Sequence, residues 1–386
     1  MRVVLLVTDL ERGGTPLRLA RLARGLRARG VDVQVGCLAR LGPVGQALTA
    51  DGIPTFAGEA ADARDFAALL RVARAVRRRA PDLIHSTLVH ANVAARLIGA
   101  MLRIPVIGST ATIEVERPWH RAAERATACL DVVHVVNSRV LAEHVRRVFG
   151  LPAQRVCVVP PSLGPAPVLD RTAARAALGI PEHEFVVAWA GRFDPVKRLE
   201  IVVGAAEILT RVPSRFVLVG DGPERARVER WLRLSSAGRS VHLLGWREDP
   251  GSVLAAADAF LFPSRTEGMP NAVLEALRAG TPVVASDIPA HRELGGEPRA
   301  PDAGPVRVRA RLVTVAGADP KDYAAALLRL RADPTLARAL GAAAADWARA
   351  ALDPEAPVRA TLAVYERVLG RRGGGWTGRV GNAAQR

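Results

Sequence analysis

Residues 259–286 read AFLFPSRTEGMPNAVLEALRAGTPVVAS, and this stretch decides the fold of the second half of the chain. It starts with an apolar run at 259–262, crosses a loop that contains glycine and proline, continues as an apolar helical segment and ends in a second apolar run at 283–286. This order is typical of a strand, a helix and a parallel strand. Because short apolar runs alternate with arginine- and alanine-rich helical stretches throughout both halves, we predict an α/β protein with two parallel sheets.

Two glutamates, Glu267 and Glu275, flank the predicted start of the helix in this stretch. The turn between them contains Gly268, Met269, Pro270 and Asn271. Backbone amides at the start of a helix lack partners and carry partial positive charge, so they can bind a phosphate or a hydroxyl. A carboxylate among the apolar neighbours of Glu275 is costly to bury without a polar partner, and sugar hydroxyls are suitable partners. The alternative is that Glu267 only compensates the helix dipole and that Glu275 is a surface residue.

A second loop follows the apolar run at 185–188 and contains Gly191, Arg192 and Lys197. Of the 54 basic residues in the chain only two are lysines, and Lys197 is one of them. A compact ammonium binds a phosphate as a point charge where a planar guanidinium does not fit. Arg192 and Lys197 on one strand-to-helix loop are expected to converge on one anion, and Gly191 would let that anion approach the backbone.

These two loops resemble the motifs of glycosyltransferase family 4. In that family Gly-Arg, followed after four residues by Lys, binds the donor diphosphate, and two glutamates separated by seven residues bind the donor sugar and the nucleotide ribose. Both patterns occur here in that order. Further matching segments are the glycine pair at 13–14 and the stretches 82–85, 137–138, 156–160 and 216–223.

The resemblance implies the GT-B fold, in which two Rossmann-like, doubly wound α/β domains face each other across a cleft and a C-terminal helix crosses back to the first domain. We predict an acceptor-binding domain at 1–163, a donor-binding domain at 164–352 and a returning helix at 353–370. A linker is expected at the Pro/Gly-rich stretch 160–167. Residues 371–386 lack an apolar period and are predicted to be a mobile tail.

The resemblance also implies an enzyme that transfers a sugar from a nucleotide diphosphate to a hydroxyl of a glycan or lipid-linked acceptor, with retention, in cell-envelope or exopolysaccharide synthesis. The nucleotide sugar would be a co-substrate, and no cofactor is expected. Since the sequence has no Asp-x-Asp motif, no metal is expected either. Two alternatives remain open: a non-catalytic relative that binds nucleotide sugars, and a sugar-nucleotide epimerase of the same fold. The implied catalytic residues are Glu267, Arg192 and Lys197, and the implied donor-binding residues are Gly13, Gly14, Gly191, Gly268, Met269, Pro270, Asn271 and Glu275.

The first half departs from the family pattern at one position. Many members have a histidine after the strand that corresponds to 105–110, and here Thr112 takes its place. Four explanations stay open: the Thr112 hydroxyl positions the sugar, Glu114 or Glu116 acts instead, His120 reaches the site, or the chain is a weak or inactive member. His90 is a further candidate for a contact to the acceptor or the sugar.

The net charge of +16 concentrates in the first half, where arginines line the predicted helices around 18–29 and 71–79. These helices are either core-facing with a solvated basic side, or a docking face for an anionic membrane. Nucleic acid is not expected as a partner, since no aromatic interleaving, helix-turn-helix or zinc pattern occurs. Three cysteines without metal-ligand spacing are predicted to be reduced core thiols. Because no apolar run resembles a signal peptide or a membrane span, we expect a cytoplasmic protein, peripheral on the inner face of the plasma membrane.

Overall fold

The computed structural model describes residues 1–62, 65–113, 118–161, 163–164, 170–247, 250–299 and 304–370. The chain forms two compact units, one made of Met1–Ser162 and the segment that begins at Asp353, the other of Leu163–Leu352. Each unit is built around one seven-stranded sheet. The predicted tail at 371–386, Glu114, Glu116 and half of the predicted linker lie outside the described residues.

The first unit has a sheet in which all neighbouring strands are parallel, in the order β3-β2-β1-β4-β5-β6-β7. Its strands are β1 Arg2–Val7, β2 Asp32–Cys37, β3 Thr55–Ala57, β4 Leu83–Thr87, β5 Val106–Thr110, β6 Val133–Val136 and β7 Val156–Val158. The helices between them are α1 Gly14–Arg27, α2 Pro43–Ala50, α3 Phe66–Arg79, α4 Val89–Leu102, α5 Pro118–Thr127 and α6 Arg139–Phe149.

Strand β1 illustrates why this sheet is buried on both faces. Val3, Leu5 and Val7 belong to one apolar cluster, whereas Val4 and Leu6 belong to another. Successive side chains of a strand point to opposite faces, so one continuous apolar run supplies both clusters. Crossover helices therefore cover the sheet on both sides, as expected for parallel strands.

The second unit repeats this design with one variation. Its strands are β8 Phe185–Ala190, β9 Ser214–Val219, β10 Val241–Gly245, β11 Ala259–Phe262, β12 Val283–Ser286, β13 Val306–Val308 and β14 Val313–Val315. Their order is β10-β9-β8-β11-β12-β14-β13, and β13 pairs antiparallel with β14, whereas the other pairs are parallel. The helices are α7 Arg171–Ala177, α8 Leu199–Leu209, α9 Arg225–Leu234, α10 Gly251–Ala256, α11 Asn271–Ala279, α12 Pro289–Gly295, α13 Pro320–Ala332 and α14 Pro334–Ala351.

The last described helix, α15 Ala356–Gly370, packs on the first unit. Val358 reaches α1 so closely that a Cβ at Gly25 would lie 2.5 Å from a methyl of that valine. Tyr365 is fully buried, and its hydroxyl lies 2.7 Å from Nδ1 of His85 on β4. Apolar packing and one buried hydrogen bond thus hold this helix against the sheet and α1.

The prediction of two parallel α/β sheets is confirmed, while two smaller predictions need correction. The antiparallel edge strand β13 was not predicted. Of the three predicted core thiols only Cys37 is buried, since Cys157 is half-buried and Cys129 is exposed. Among the described residues, no helix combines the length and the apolar character that crossing a membrane requires.

Candidate functional site

The candidate site lies at the carboxyl ends of the strands in the second unit, where open α/β sheets bind ligands. Strands β8 and β11 are neighbours, so the loops that follow them start side by side. The backbone amide of Arg265 donates a 2.8 Å hydrogen bond to the carbonyl of Val196 and joins the two loops directly. The two motifs, about 70 residues apart in sequence, therefore meet in one place.

The central contact of this site joins Lys197 and Glu267. The Lys197 ammonium Nζ donates to Glu267 Oε1 at 2.5 Å, and the two side chains are only 18% and 9% exposed. The same ammonium lies 5.1 Å from the centre of the Phe262 ring, within the range of a cation–π interaction. The sequence analysis predicted both residues as ligand contacts but did not foresee that they pair with each other.

Three glycines shape the crossing of the loops after β8 and β9, and the loop after β8 carries Lys197. Gly191, Gly220 and Gly222 have φ angles of 158°, 140° and 157°, which residues with a side chain rarely adopt. A Cβ at Gly220 would lie 1.8 Å from the Gly191 carbonyl oxygen, and a Cβ at Gly222 would lie 2.5 Å from the Phe193 carbonyl oxygen. The loops after β8 and β9 can cross at this distance only because both positions lack a side chain.

The start of α11 provides the predicted amide donors. Pro270 precedes the helix in an extended conformation and supplies no side-chain cap. The first amides of such a helix point outward with partial positive charge. Glu275 lies farther along the same helix and is half-buried rather than fully buried. Burial lowers the pKa of Arg278, and the negative charge of Glu275 opposes this shift.

Arg192 occupies a different environment from Lys197. Its side chain is exposed, and it makes no ion pair within the described part of the chain. Arg192 and Lys197, although on one loop, point to different surroundings, because the Lys197 ammonium is turned towards Glu267. Arg192 remains a positive charge directed at solvent beside the site.

The sequence analysis missed His291, which lies behind the Lys197–Glu267 pair on α12. It is fully buried, its Nδ1 lies 2.8 Å from the Ser286 carbonyl oxygen, and its ring meets that of Phe262 edge-on at 5.8 Å. Burial lowers the pKa of His291 to about 4, partly opposed by the charge of Glu267. The ring is thus neutral. No spacing in the sequence singles out this histidine, because its partners come from β11 and β12.

In the first unit, Gly13 is the residue that caps α1. Its φ of −175° is extended backbone that any residue adopts, so the turn does not require glycine. A Cβ at this position would meet only Pro16, at an ordinary distance of 3.6 Å. The fold therefore leaves open space at Gly13, next to Gly14, the first residue of the helix.

The residues near the missing family histidine are spread over several elements. Thr112 is exposed on the loop after β5. His90 of α4 lies edge-on to Trp119 and His120 of α5, with ring centres 5.4 and 4.9 Å away. His120 is buried at 4% exposure. Of the two proposed substitutes that the structure describes, His120 belongs to an aromatic cluster with His90, and Thr112 is open to solvent.

Two family models match the chain. The model described as Glycosyltransferase Family 4 matches residues 12–163, and the model described as Glycosyl transferases group 1 matches residues 184–333. The chain belongs to the family 4 glycosyltransferases. The family predicted from the motifs is thereby confirmed, and the matched ranges include both Gly13 and the Lys197–Glu267 pair.

Relatives within this family differ in their acceptors. The D-inositol 3-phosphate glycosyltransferase of Segniliparus rotundus is 32% identical over 250 residues, which are 62% of this chain and 53% of that protein. The UDP-Gal:alpha-D-GlcNAc-diphosphoundecaprenol alpha-1,3-galactosyltransferase of Escherichia coli is 25% identical over 257 residues, 61% of this chain and 65% of that protein. The chain thus spans about half the length of the first of these relatives.

Solved structures show the same fold. Anabaena Alr3699/HepE, in complex with UDP and glucose, matches with a TM-score of 0.78 at 20% identity, over 95% of this chain and 99% of that one. At this identity the likeness concerns the fold alone. It confirms the predicted GT-B fold with its two parallel-sheet domains.

Proposed function

We propose that this chain transfers a sugar, with retention, from a nucleotide diphosphate donor to a hydroxyl of a glycan or lipid-linked acceptor. The observation that carries the proposal is the contact between Lys197 and Glu267 at the carboxyl edge of the second sheet. It unites the two family motifs in one place. Family membership supports the reaction class, and the local geometry supports the roles of individual residues.

The step in which the diphosphate leaves the sugar is the one that the protein has to stabilise. Negative charge develops on the leaving phosphate while the sugar gains oxocarbenium character, so fixed positive charge at the phosphate lowers the barrier. Lys197, Arg192 and the first amides of α11 supply that charge. Lys197 binds Glu267, and we expect the same ammonium to contact the phosphate of the donor.

The two glutamates then have separate tasks. Glu267 lies beside Lys197 and is assigned to the donor sugar, whereas Glu275, half-buried farther along α11, is assigned to the ribose of the nucleotide. A carboxylate accepts hydrogen bonds from paired hydroxyls in both cases. Gly191 and the turn Gly268 to Asn271 are assigned to the donor. Gly13, where a Cβ would meet only Pro16, and the neighbouring Gly14 are assigned to donor binding from the family pattern.

Named relatives narrow the substrates that deserve testing first. The Escherichia coli relative uses UDP-Gal and a diphosphoundecaprenol-linked acceptor, and the Anabaena structure contains UDP. We therefore propose a UDP-sugar as donor and a lipid-linked saccharide as acceptor, in cell-envelope or exopolysaccharide synthesis. Neither a metal ion nor a cofactor is part of the proposal, because side chains and helix amides provide the positive charge at the leaving group.

One departure from the family pattern favours the alternative of a non-catalytic relative that binds nucleotide sugars. Thr112, at the position of the family histidine, is exposed and has no imidazole to offer. A relative that only binds nucleotide sugars would keep the Lys197 and Glu275 contacts but would consume no donor. Turnover by the purified protein separates the two functions.

Membrane docking is proposed for the outer face of α3. Phe66 and Leu70 are 78% and 52% exposed there, and Arg74, Arg77 and Arg78 are exposed beside them. Apolar side chains next to arginines are the composition that binds anionic lipid surfaces. Helix α1 fits less well, since its Arg24 pairs with Asp51, and Arg29 in the turn after the helix pairs with Glu355. A position on the inner face of the plasma membrane would follow.

The experiment for this function is a screen of UDP-glucose, UDP-galactose and UDP-N-acetylglucosamine with the purified protein. Thermal shift reports binding, and released UDP reports turnover with inositol 3-phosphate or an octyl N-acetylglucosaminide as acceptor. We expect binding of UDP and release of UDP from at least one donor. Binding without turnover on any donor would favour the non-catalytic alternative, and no binding of any nucleotide would reject both.

A further inference from the structure

A chain of three polar side chains runs from the end of β5 into the core of the first unit. Thr110 is the last residue of β5, and its Oγ1 lies 2.9 Å from Nε2 of His134 on the neighbouring strand β6. The other ring nitrogen of His134, Nδ1, lies 2.7 Å from Oδ2 of Asp131. Both the histidine and the aspartate side chains are fully buried, whereas Thr110 is half-buried at the strand end.

The ionisation of Asp131 determines the direction of these hydrogen bonds. Arg96 donates to both of its carboxylate oxygens, from Nε at 2.8 Å and from Nη2 at 2.6 Å. Burial alone would lower the pKa of Arg96, but its hydrogen bonds to Asp131 and its contacts with Glu124 raise it. An ionised carboxylate only accepts, so Nδ1 of His134 carries a proton. In the neutral ring Nε2 then accepts from the Thr110 hydroxyl.

This arrangement leaves the Thr110 oxygen with its lone pairs available. Its own proton points inward to His134, so the oxygen can accept a hydrogen bond from a second hydroxyl. Thr110 lies at the carboxyl end of a parallel sheet, the edge where such folds bind ligands. It is also two residues before Thr112, the position at which the family has its histidine. The next strand carries a buried imidazole, that of His134, in contact with Thr110.

The carboxylate behind His134 belongs to a buried cluster of charges. Arg96 pairs with both Asp131 and Glu124, and all three side chains are only 0–1% exposed. These ion pairs hold Asp131 in place, so its contact with Nδ1 keeps the His134 ring oriented towards Thr110.

The other groups around His134 are a buried imidazole on β4, a carboxylate on α5 and an aromatic ring on α6. On β4, burial lowers the pKa of His85 to about 4, so that imidazole stays neutral. On α5, Glu124 is fixed by Arg96 and by Asn92, whose Nδ2 lies 2.8 Å from its Oε1. On α6, the Phe149 ring meets His134 edge-on at 5.9 Å and forms an apolar wall.

We propose that Thr110 binds the reacting hydroxyl of the acceptor and passes its proton to His134. The inference rests on the proposed sugar transfer. In that step the acceptor oxygen forms a bond to the anomeric carbon, and the bond from that carbon to the diphosphate breaks, with its electron pair leaving on the nucleotide diphosphate. The acceptor proton moves to Thr110 Oγ1 while the proton of Thr110 moves to Nε2 of His134. The proton returns to solvent by the same path.

The test measures kcat and KM against pH for the wild type, Thr110→Val, Thr110→Ser and His134→Gln. The donor is the UDP-sugar that the screen selects, the acceptor is inositol 3-phosphate or the octyl N-acetylglucosaminide, and released UDP is the readout. We expect Thr110→Val to lower kcat about 100-fold with an unchanged KM for the donor, as for loss of general base catalysis. Thr110→Ser should restore most of the rate.

The pH profile distinguishes the relay from a structural role. General base catalysis through the relay predicts a wild-type kcat that falls at low pH, and His134→Gln should be slow without that fall. The double variant Thr110→Val/His134→Gln should be no slower than either single variant, since the two residues act as one unit. Added losses and an unchanged low-pH limb in His134→Gln would overturn the relay.

Thr87 provides the matched control. It also ends a strand, β4, is half-buried and has one hydroxyl contact, at 2.7 Å to Oγ of Ser109, without touching His134. Thr87→Val should leave kcat within about twofold. Equal losses in Thr87→Val and Thr110→Val, with one pH profile, would reduce Thr110 to a structural residue. If the wild type consumes no donor, the proposed function fails first, and this inference fails with it.

Discussion

At the scale of single residues, Lys197 carries the largest share of the proposed donor binding. Removing its ammonium takes a charged hydrogen bond from the phosphate, worth about 1.5–3 kcal/mol, so Lys197→Ala should lower kcat/KM about tenfold to a few hundredfold. Lys321, exposed at the start of α13, is the only other lysine and gives a matched control. Lys321→Ala should retain full activity. Unchanged kinetics in a folded Lys197→Ala protein would refute the assignment.

Substitutions of the two glutamates are predicted to have different effects. Glu275→Gln should raise the Kd for UDP itself, because the ribose is its proposed ligand. Glu267→Gln should leave UDP binding nearly unchanged and lower sugar transfer, because its proposed ligand is the sugar. Calorimetric titration with UDP and steady-state kinetics measure the two effects. Equal, negligible changes in both variants would contradict this division.

Two buried histidines are expected to make the fold sensitive to acid. Burial lowers the pKa of His85 and of His291 from 6.5 to about 4. Between pH 6.5 and about 4, these two histidines bind protons in the unfolded chain but not in the folded chain. The free energy of unfolding therefore falls as the pH falls through this range. Each histidine should contribute on the order of 3 kcal/mol to this loss. Thermal melts over this range should have a shallower pH dependence in His291→Gln and in His85→Gln; an unchanged dependence would contradict the assignment.

The site could be predicted from the sequence only where its residues lie in short motifs. Arg192, Lys197, Glu267 and Glu275 were found because each motif occupies one loop or helix start. The contact of Lys197 with Glu267 depends on β8 and β11 being neighbours, which strand patterns do not reveal. His291 and His134 stayed hidden for the same reason: their partners come from other strands, and a single histidine in an apolar segment resembles any core residue.

At the scale of elements, the sequence located most strands but not their ends or all of their partners. The apolar run at 259–262 coincides with β11, and the run at 216–219 misses only the first two residues of β9. Strand β13 contains Arg307 between two valines, and its three residues are too short to give a period. The position of β13 is fixed by pairing with β14, so no local pattern could have predicted it.

Helix α3 is the element on which membrane docking can be tested. Replacing Arg74, Arg77 and Arg78 with alanine should weaken co-sedimentation with phosphatidylserine vesicles about 100-fold, at about 1 kcal/mol for each arginine near the surface. Salt should weaken the wild type in the same direction. The control replaces three exposed arginines of α9, Arg227, Arg230 and Arg233. Equal losses in both triple variants, or binding that ignores lipid charge, would reject docking through α3.

At the scale of the whole molecule, two parallel-sheet domains of the GT-B fold each present the carboxyl ends of their strands as a ligand edge. In the second domain this edge holds Lys197, Glu267 and the start of α11, which suit an anionic leaving group. In the first domain it holds Thr110 above the buried pair of His134 and Asp131. In the proposed reaction the two edges have different tasks: the second domain's edge stabilises the leaving diphosphate, and the first domain's edge binds the acceptor hydroxyl.

The most direct test of the central claim is the configuration of the product formed from a UDP-sugar in the presence of EDTA. Proton NMR of the reaction follows the anomeric signal of the transferred sugar. The account predicts transfer that survives chelation and a product with the anomeric configuration of the donor, since the leaving diphosphate is stabilised by side chains and amides. An inverted product, activity that EDTA abolishes, or a donor that is never consumed would contradict it.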